Sequence, residues 1–302
     1  MAIGIDPTVD FACKRLLGSP DHPAITLHFL NAVLGGHPPI TNVQILNPII
    51  GKSFDDDKAS ILDVLATDDH GRFIDIEIQT TLPAGLSERL TYYAASQLVE
   101  QLGEGDSYRE LRPSIGICIL DAIRFRESSA LHLDFQLRSP SGELLTDCLQ
   151  IHLLELPKYD PDADNGVIAD PIKQWIHFFR FAASSSPEEL RQQLPDLVFS
   201  EAIGVLEMIA RNPDEKRFYE SRLKMQRDEQ ARLEAAEERG EARGEARGEA
   251  RGEARGEAIG RVRVLQSLAG VAESTIEDLR MHSSEELAAM EVTLKRQLRE
   301  RS

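Results

Sequence analysis

Cysteine is scarce in this chain: there are three in 302 residues, Cys13, Cys118 and Cys148, far apart and with no CxxC pair. That excludes a recognisable zinc or redox motif and a disulfide framework, and it fits a reducing cytosol. Long apolar runs are missing too. No stretch approaches the roughly eighteen uninterrupted apolar residues of a transmembrane helix. The opening MAIGIDPTVDFACK has no basic region leading into an apolar segment, so the expectation is a cytoplasmic protein with neither a signal peptide nor a membrane partner. Basic residues are outnumbered, 34 Lys plus Arg against 51 Asp plus Glu, for a formal net charge of −17. Nucleic-acid binders are usually marked by a basic face, because neutralising phosphates supplies most of their affinity. The deficit argues against tight constitutive DNA binding, but not against an enzyme whose carboxylates hold cations that bridge to phosphate. The chain also has no GxSxG elbow, HExxH, Walker A loop or GxGxxG after a strand, and its eight histidines show no ligand spacing.

What is present is ordinary globular composition, 41% hydrophobic and 28% charged, in a chain long enough to bury a real core. Residues 8 to 34 read as one or two short helices broken at Gly18-Ser19-Pro20, and VQILNPII (43–50) as a first strand. Two alternating runs follow, ILDVLAT (61–67) and RFIDIEIQ (72–79), the clearest hairpin signal in the sequence. Pro83 opens a helix carrying Leu86, Leu90, Ala94, Leu98 and Leu102. SIGICILDAI (114–123) suits a buried central strand, and LHLDFQLR (131–138) with LLTDCLQIHLLEL (144–156) suggests a second hairpin. Trp175, Ile176, Phe178, Phe179 and Phe181 mark an apolar helix, and 188–222 look helical. The order of elements predicts an α/β or α+β domain, one sheet with helices on its faces.

The tail differs. From Gly240 the unit Gly-Glu-Ala-Arg runs four times, as far as Arg255. Each Gly in a helix interior costs about 1 kcal/mol relative to Ala, and like charges repeat at i,i+4 with no Glu–Arg pair at i+3 or i+4. The segment reads as a marginal helix, a flexible or self-associating linker, with oligomerisation through a Gly stripe as the sharper alternative. The expected organisation is a catalytic-type domain over 1–185, a helical extension over 186–235, the repeat linker over 236–260 and a C-terminal helical segment over 261–302.

The register of the first hairpin fixes which side chains meet. Asp69-His70-Gly71 fits a three-residue loop with Gly in the left-handed position, which pairs Asp68 with Arg72. Counting back sets Asp63 across from Glu77. Alternation places Leu62, Val64, Ala66, Ile74, Ile76 and Ile78 on an apolar face. The other face carries Asp63, Asp75, Glu77 and Gln79. Polar residues at alternate positions more often mean a solvated strand face than a site. Asp63 weighs against that reading, because Asp is a poor strand former and two carboxylates directly opposite, roughly 4.5–5.5 Å apart at Cβ, repel one another. Solvent or a cation must offset that repulsion, and Mg²⁺ suits one or two carboxylates plus water and phosphate oxygens. A permanent lysine or arginine contact on either carboxylate would cancel the site.

The stretch DKASILDVLATDDHGRFIDIEIQ (57–79) resembles the D…(D/E)-x-(K/Q) core of PD-(D/E)XK phosphodiesterases. More closely it is similar to the Rpn family of recombination-promoting nucleases, also described as transposases. TVDFACKRLLG (8–18), RLTYYAASQL (89–98), ILD (119–121) and HLLELPK (152–158) agree in the same order, over roughly residues 5 to 185. The resemblance implies a restriction-endonuclease-like mixed sheet flanked by helices, followed here by a helical C-terminal region. It implies Asp63 and Glu77 as ligands of Mg²⁺, with Mn²⁺ or Ca²⁺ as substitutes, and a DNA substrate. Gln79 stands where the superfamily's lysine usually sits, which leaves the role of that positive charge unassigned. Asp10 matches an acidic residue that helps position metal or water, or else caps its helix. Lys14, Arg89, Tyr92 and Gln97 are candidates for contacts with the phosphate backbone, with packing as the alternative for each, and His70 is a turn residue. The implied activity is a metal-dependent DNA endonuclease aiding recombination or transposition. The alternatives are RNA cleavage, and a catalytically weak nucleic-acid-binding or regulatory protein on the same fold that forms homo-oligomers through its tail.

Overall fold

The computed structural model describes residues 1–35, 39–46, 64–163 and 166–300. Asp63, and the expected strand residues 47–50 and 61–62, lie outside them. Two helices come first, α1 (Asp10–Leu17) and α2 (Pro23–Leu34). The strands are β1 (Val43–Ile45), β2 (Val64–Asp68), β3 (Phe73–Gln79), β4 (Ser114–Leu120), β5 (His132–Arg138) and β6 (Leu144–Glu155), with α3 (Leu86–Val99) between β3 and β4. They form one mixed sheet in the order β1-β2-β3-β4-β6-β5. β1, β2 and β3 pair antiparallel, β3–β4 and β4–β6 pair parallel, and β5 returns antiparallel on β6. This is the mixed α/β sheet the sequence predicts, and β4, buried at every position, is one of its central strands.

The hairpin register is also the expected one. Val64 faces Ile76, Leu65 faces Asp75 and Ala66 faces Ile74. The loop closes with Gly71 N–H donating to Asp68 O at 3.0 Å, and Gly71 takes φ 76°, a region open to glycine without strain. Arg72 Nε clamps the same turn by donating to Asp68 Oδ2 at 2.6 Å.

Each face of the sheet has its own cover. Val64, Ala66, Ile74, Ile76, Ile115, Ile117, Ile119 and Leu154 join the main core. That core takes in residues of α1 and α2, of α4 (Pro171–Phe181) and of α6 (Leu197–Arg211). Trp175 sits fully buried at its centre, its indole Nε1 donating to His28 Nδ1 at 3.0 Å. The opposite face carries Cys118, Leu120 and Leu153 against Leu86 and Leu90 of α3. α3 passes directly over Gly116, where a Cβ would make an ordinary contact with that of Ala94 at 3.9 Å.

Two observations bear on the expected organisation. α5 (Pro187–Gln193) and α6, expected in an extension beyond residue 185, supply Leu190, Phe199, Ile203, Leu206 and Ile209 to the main core. The first compact unit accordingly runs from Met1 to Asp228. The Gly-Glu-Ala-Arg segment, read as a linker, lies inside one helix, α7 (Pro213–Leu268). Helix propagates cheaply from a turn already formed, and Ala, Glu and Arg are strong helix formers that offset the intervening glycines. The second unit, Glu229–Ser302, contains the rest of α7 with α8 (Ile276–Met281) and α9 (Ser284–Glu300). It closes over a small cluster of Ile259, Val262, Leu279, Leu287 and Leu294. Among the described residues no helix is long and apolar enough to cross a membrane.

Candidate active site

Glu77 pairs in register with Cys118 of β4, so it points to the α3 side of the sheet. Sequence alternation reads this as a wet strand face. Instead α3 covers it, leaving Asp75 at 5% and Glu77 at 2% exposure. A carboxylate so far removed from water requires compensation by polar or charged partners. Arg89, from the first turns of α3, donates from Nη2 to Glu77 Oε2 at 3.1 Å, and Gln79 Nε2 approaches the same oxygen at 3.5 Å. The two side chains of the pair differ in access: 37% exposed for Arg89 against 3% for Glu77. Arg89 is thus one of the candidate phosphate contacts, and its partner here is the candidate metal ligand.

Gln79 is held from its backbone as well. Its carbonyl accepts from the N–H of Asp121 at 2.8 Å, which ties the end of β3 to the residue just past β4. The Asp121 carboxyl is raised above the usual carboxylate range by burial and by the negative charge of Asp6, against the opposing pull of Arg180.

Asp10 opens α1, where its Oδ1 accepts from the Phe11 amide at 2.6 Å. Burial raises its pKa, while Arg222, with Nη1 at 3.9 Å from Oδ2, and Lys14 oppose that rise. The Arg222 contact joins residues far apart in the chain, as does the 2.6 Å pair of Arg15 with Glu215. Both dock the start of α7 onto α1, and neither has a signal in periodicity or motif. Of the remaining phosphate candidates, Lys14 is buried and belongs to the packing of α1. Gln97 accepts from Ser114 Oγ at 3.0 Å, while Tyr92 stands 68% exposed on α3. His70 is in the turn, as expected.

The structure therefore brings Glu77, Gln79 and Arg89 together. Residues 7–236 match the family model described as PD-(D/E)XK nuclease family transposase. The chain belongs to that family. No curated protein and no solved structure gives a significant match. Membership of the PD-(D/E)XK nuclease family transposases carries a nuclease-like or transposase-related function, and nucleases of this superfamily typically use divalent metals. The family match also runs past residue 185 and through the start of α7, the segment that Arg222 and Glu215 anchor on α1.

Among the described residues no group of three or more His, Cys, Asp or Glu side chains is placed to hold a metal ion. A carboxylate and a side-chain amide are hard oxygen donors, the kind Mg²⁺ and Mn²⁺ select over soft thiolates. Glu77 would contribute such an oxygen, and Gln79, whose Nε2 faces Glu77 Oε2, would orient a water or a phosphate oxygen beside the ion. Asp63, the other expected ligand, lies outside the described residues.

Proposed function

We propose that this chain is a Mg²⁺-dependent DNA endonuclease of the cytoplasm, serving recombination or transposition, with Asp63 and Glu77 as metal ligands and Gln79 and Asp10 as supporting residues. One observation carries this reading: a glutamate on β3 sits almost without exposure beneath α3, at the position that the resemblance of residues 57–79 implies for an acidic ligand. A buried carboxylate there needs a compensating cation, a role that Arg89 fills in this structure and that a divalent ion would fill on binding.

A bound divalent ion would polarise the phosphoryl oxygen and lower the pKa of a coordinated water. The chain's own residues supply the rest. Glu77 offers its charge from a fixed strand position. Gln79, locked through its carbonyl to Asp121, presents a neutral amide that both donates and accepts, suited to orienting a water or a phosphate oxygen. α3 closes the face and excludes bulk solvent from Glu77. The −17 net charge is compatible with a substrate bound through the cation rather than through a basic surface.

Purified protein incubated with supercoiled plasmid should nick it in Mg²⁺ and not in EDTA. Asp63→Ala and Glu77→Gln should each lower the rate by about 10² or more, a loss of roughly 3 kcal/mol of barrier stabilisation. Nicking that survives both substitutions removes the proposed site. The Arg89–Glu77 contact favours a second reading, in which the carboxylate is permanently neutralised and the protein binds or regulates without cutting. Absence of cleavage by the wild type across Mg²⁺, Mn²⁺ and Ca²⁺ would support it.

A further inference from the structure

The superfamily's lysine is replaced by Gln79, and a neutral amide cannot supply positive charge. Arg89 brings a guanidinium to the same carboxylate from the covering helix, 3.1 Å from Glu77 Oε2. We infer that Arg89 is a displaceable counter-charge: it neutralises Glu77 while that carboxylate lacks a metal, and turns to a DNA phosphate once a divalent ion takes its place. This rests on the reading of Glu77 as a metal ligand.

Three features carry it. Gln79 and Arg89 both address Oε2, so a cation drawn to that oxygen competes directly with the guanidinium. Two positive charges at one carboxylate oxygen repel each other strongly in a poorly solvated site, because repulsion there is far less screened than in water. The arginine is also built to leave. Its side chain is 37% exposed while Glu77 is 3% exposed, so a rotation carries the head outward without unburying the carboxylate. Its Nε is buried without a hydrogen-bond partner, so the guanidinium is incompletely satisfied where it stands. A planar fork of five donors would gain from a phosphate, which it can engage through two parallel bonds. Arg89 thereby becomes a substrate-contacting catalytic residue on α3, replacing a charge that the strand itself no longer carries.

The test uses the full-length chain and begins without DNA. Calorimetric titration with Mn²⁺ should show Arg89→Met binding about five- to tenfold more tightly than wild type, because the competing charge is gone. Glu77→Gln should lose the site. In Ca²⁺, plasmid-fragment binding by Arg89→Met should show a log K against log salt slope shallower by about one, the mark of one lost phosphate contact. Arg89→Lys should keep the slope while cutting DNA more slowly than wild type. Thermal melts followed by circular dichroism identify any variant that fails to fold. In that event the Arg89→Met/Glu77→Gln pair, which removes both charges, should regain stability, and Arg89→Lys carries the binding comparison. Unchanged or weaker Mn²⁺ binding by folded Arg89→Met overturns the inference, as does an unchanged salt slope. Mn²⁺ binding that tightens in Arg89→Met, in a protein that cuts no DNA, would support the counter-charge and reject the nuclease reading instead. Binding by neither wild type nor Arg89→Met would overturn the counter-charge.

Discussion

His152 lies across from Ile117 on the main-core side of β6 and is only 5% exposed. Its Nδ1 meets His132 Nε2 at 2.9 Å, with the two rings stacked at 5.2 Å, and its Nε2 is buried without a hydrogen-bond partner. Burial pushes its pKa down to about 4, with the neighbouring His132 and Arg72 acting in the same direction and Asp134, its cross-strand partner on β5, against them. An ordinary histidine titrates near 6.5, so the unfolded chain takes up the proton first as pH falls. Stability is therefore full above about pH 6.5 and declines between there and pH 4. Between pH 7.5 and pH 5 this one group should remove about 2 kcal/mol of stability. Urea unfolding of wild type and His152→Gln at both pH values checks it: the pH-dependent drop should shrink by that amount in the variant. Equal drops would mean that His152 stays exposed to protons in the folded chain.

Among the elements, the contact of α1 with β2 shows how little space the fold leaves near the site. Gly18 ends α1 by donating its N–H to Lys14 O at 2.8 Å. A Cβ there would sit 2.8 Å from that carbonyl oxygen and 3.0 Å from Val64 Cγ2. Backbone atoms cannot yield as a flexible side chain does, so Gly18→Ala should destabilise the chain by about 1–3 kcal/mol, the range for overpacking. A urea midpoint unchanged from wild type would contradict the packing.

The sequence already contained the hairpin at this level, because Asp69-His70-Gly71 dictates a loop and the loop dictates the register from Val64 to Thr67. It also contained β4, whose uniform run of apolar residues admits only a strand covered on both faces. The cover over Glu77 was not legible. Alternation along β3 separates two faces but does not say which one meets solvent. That depends on α3, which covers this side through Leu86 and Leu90 packed on Cys118, Leu120 and Leu153, contacts that alternation along β3 does not carry. Pairings such as Asp10 with Arg222 were hidden for a related reason: periodicity reports which side of a helix is buried, not which distant helix buries it.

For the whole molecule, the mechanics turn on α7. The repeat places Gly240, Gly244, Gly248, Gly252, Gly256 and Gly260 four residues apart, a stripe that drifts about 40° round the helix at each step, and a Cβ added at any of them would meet nothing within 4 Å. Residues 240–257 are exposed throughout, so no tertiary packing repays the glycines, and the stacked arginines and glutamates repel their own kind. The segment is then the weakest stretch of α7, held by its ends and by salt screening. Replacing Gly244, Gly248, Gly252 and Gly256 by Ala should stabilise the helix by about 1 kcal/mol per site. Far-ultraviolet circular dichroism should show greater helicity and a higher melting temperature for the second unit. Sedimentation equilibrium on the same variant separates this from the alternative use of a glycine stripe, in which backbones of two chains come close across it. An unchanged mass with raised helicity fits a single exposed helix. A fall in mass would mean that the added methyl groups had broken a contact between copies, and that the glycines are kept for assembly through the tail.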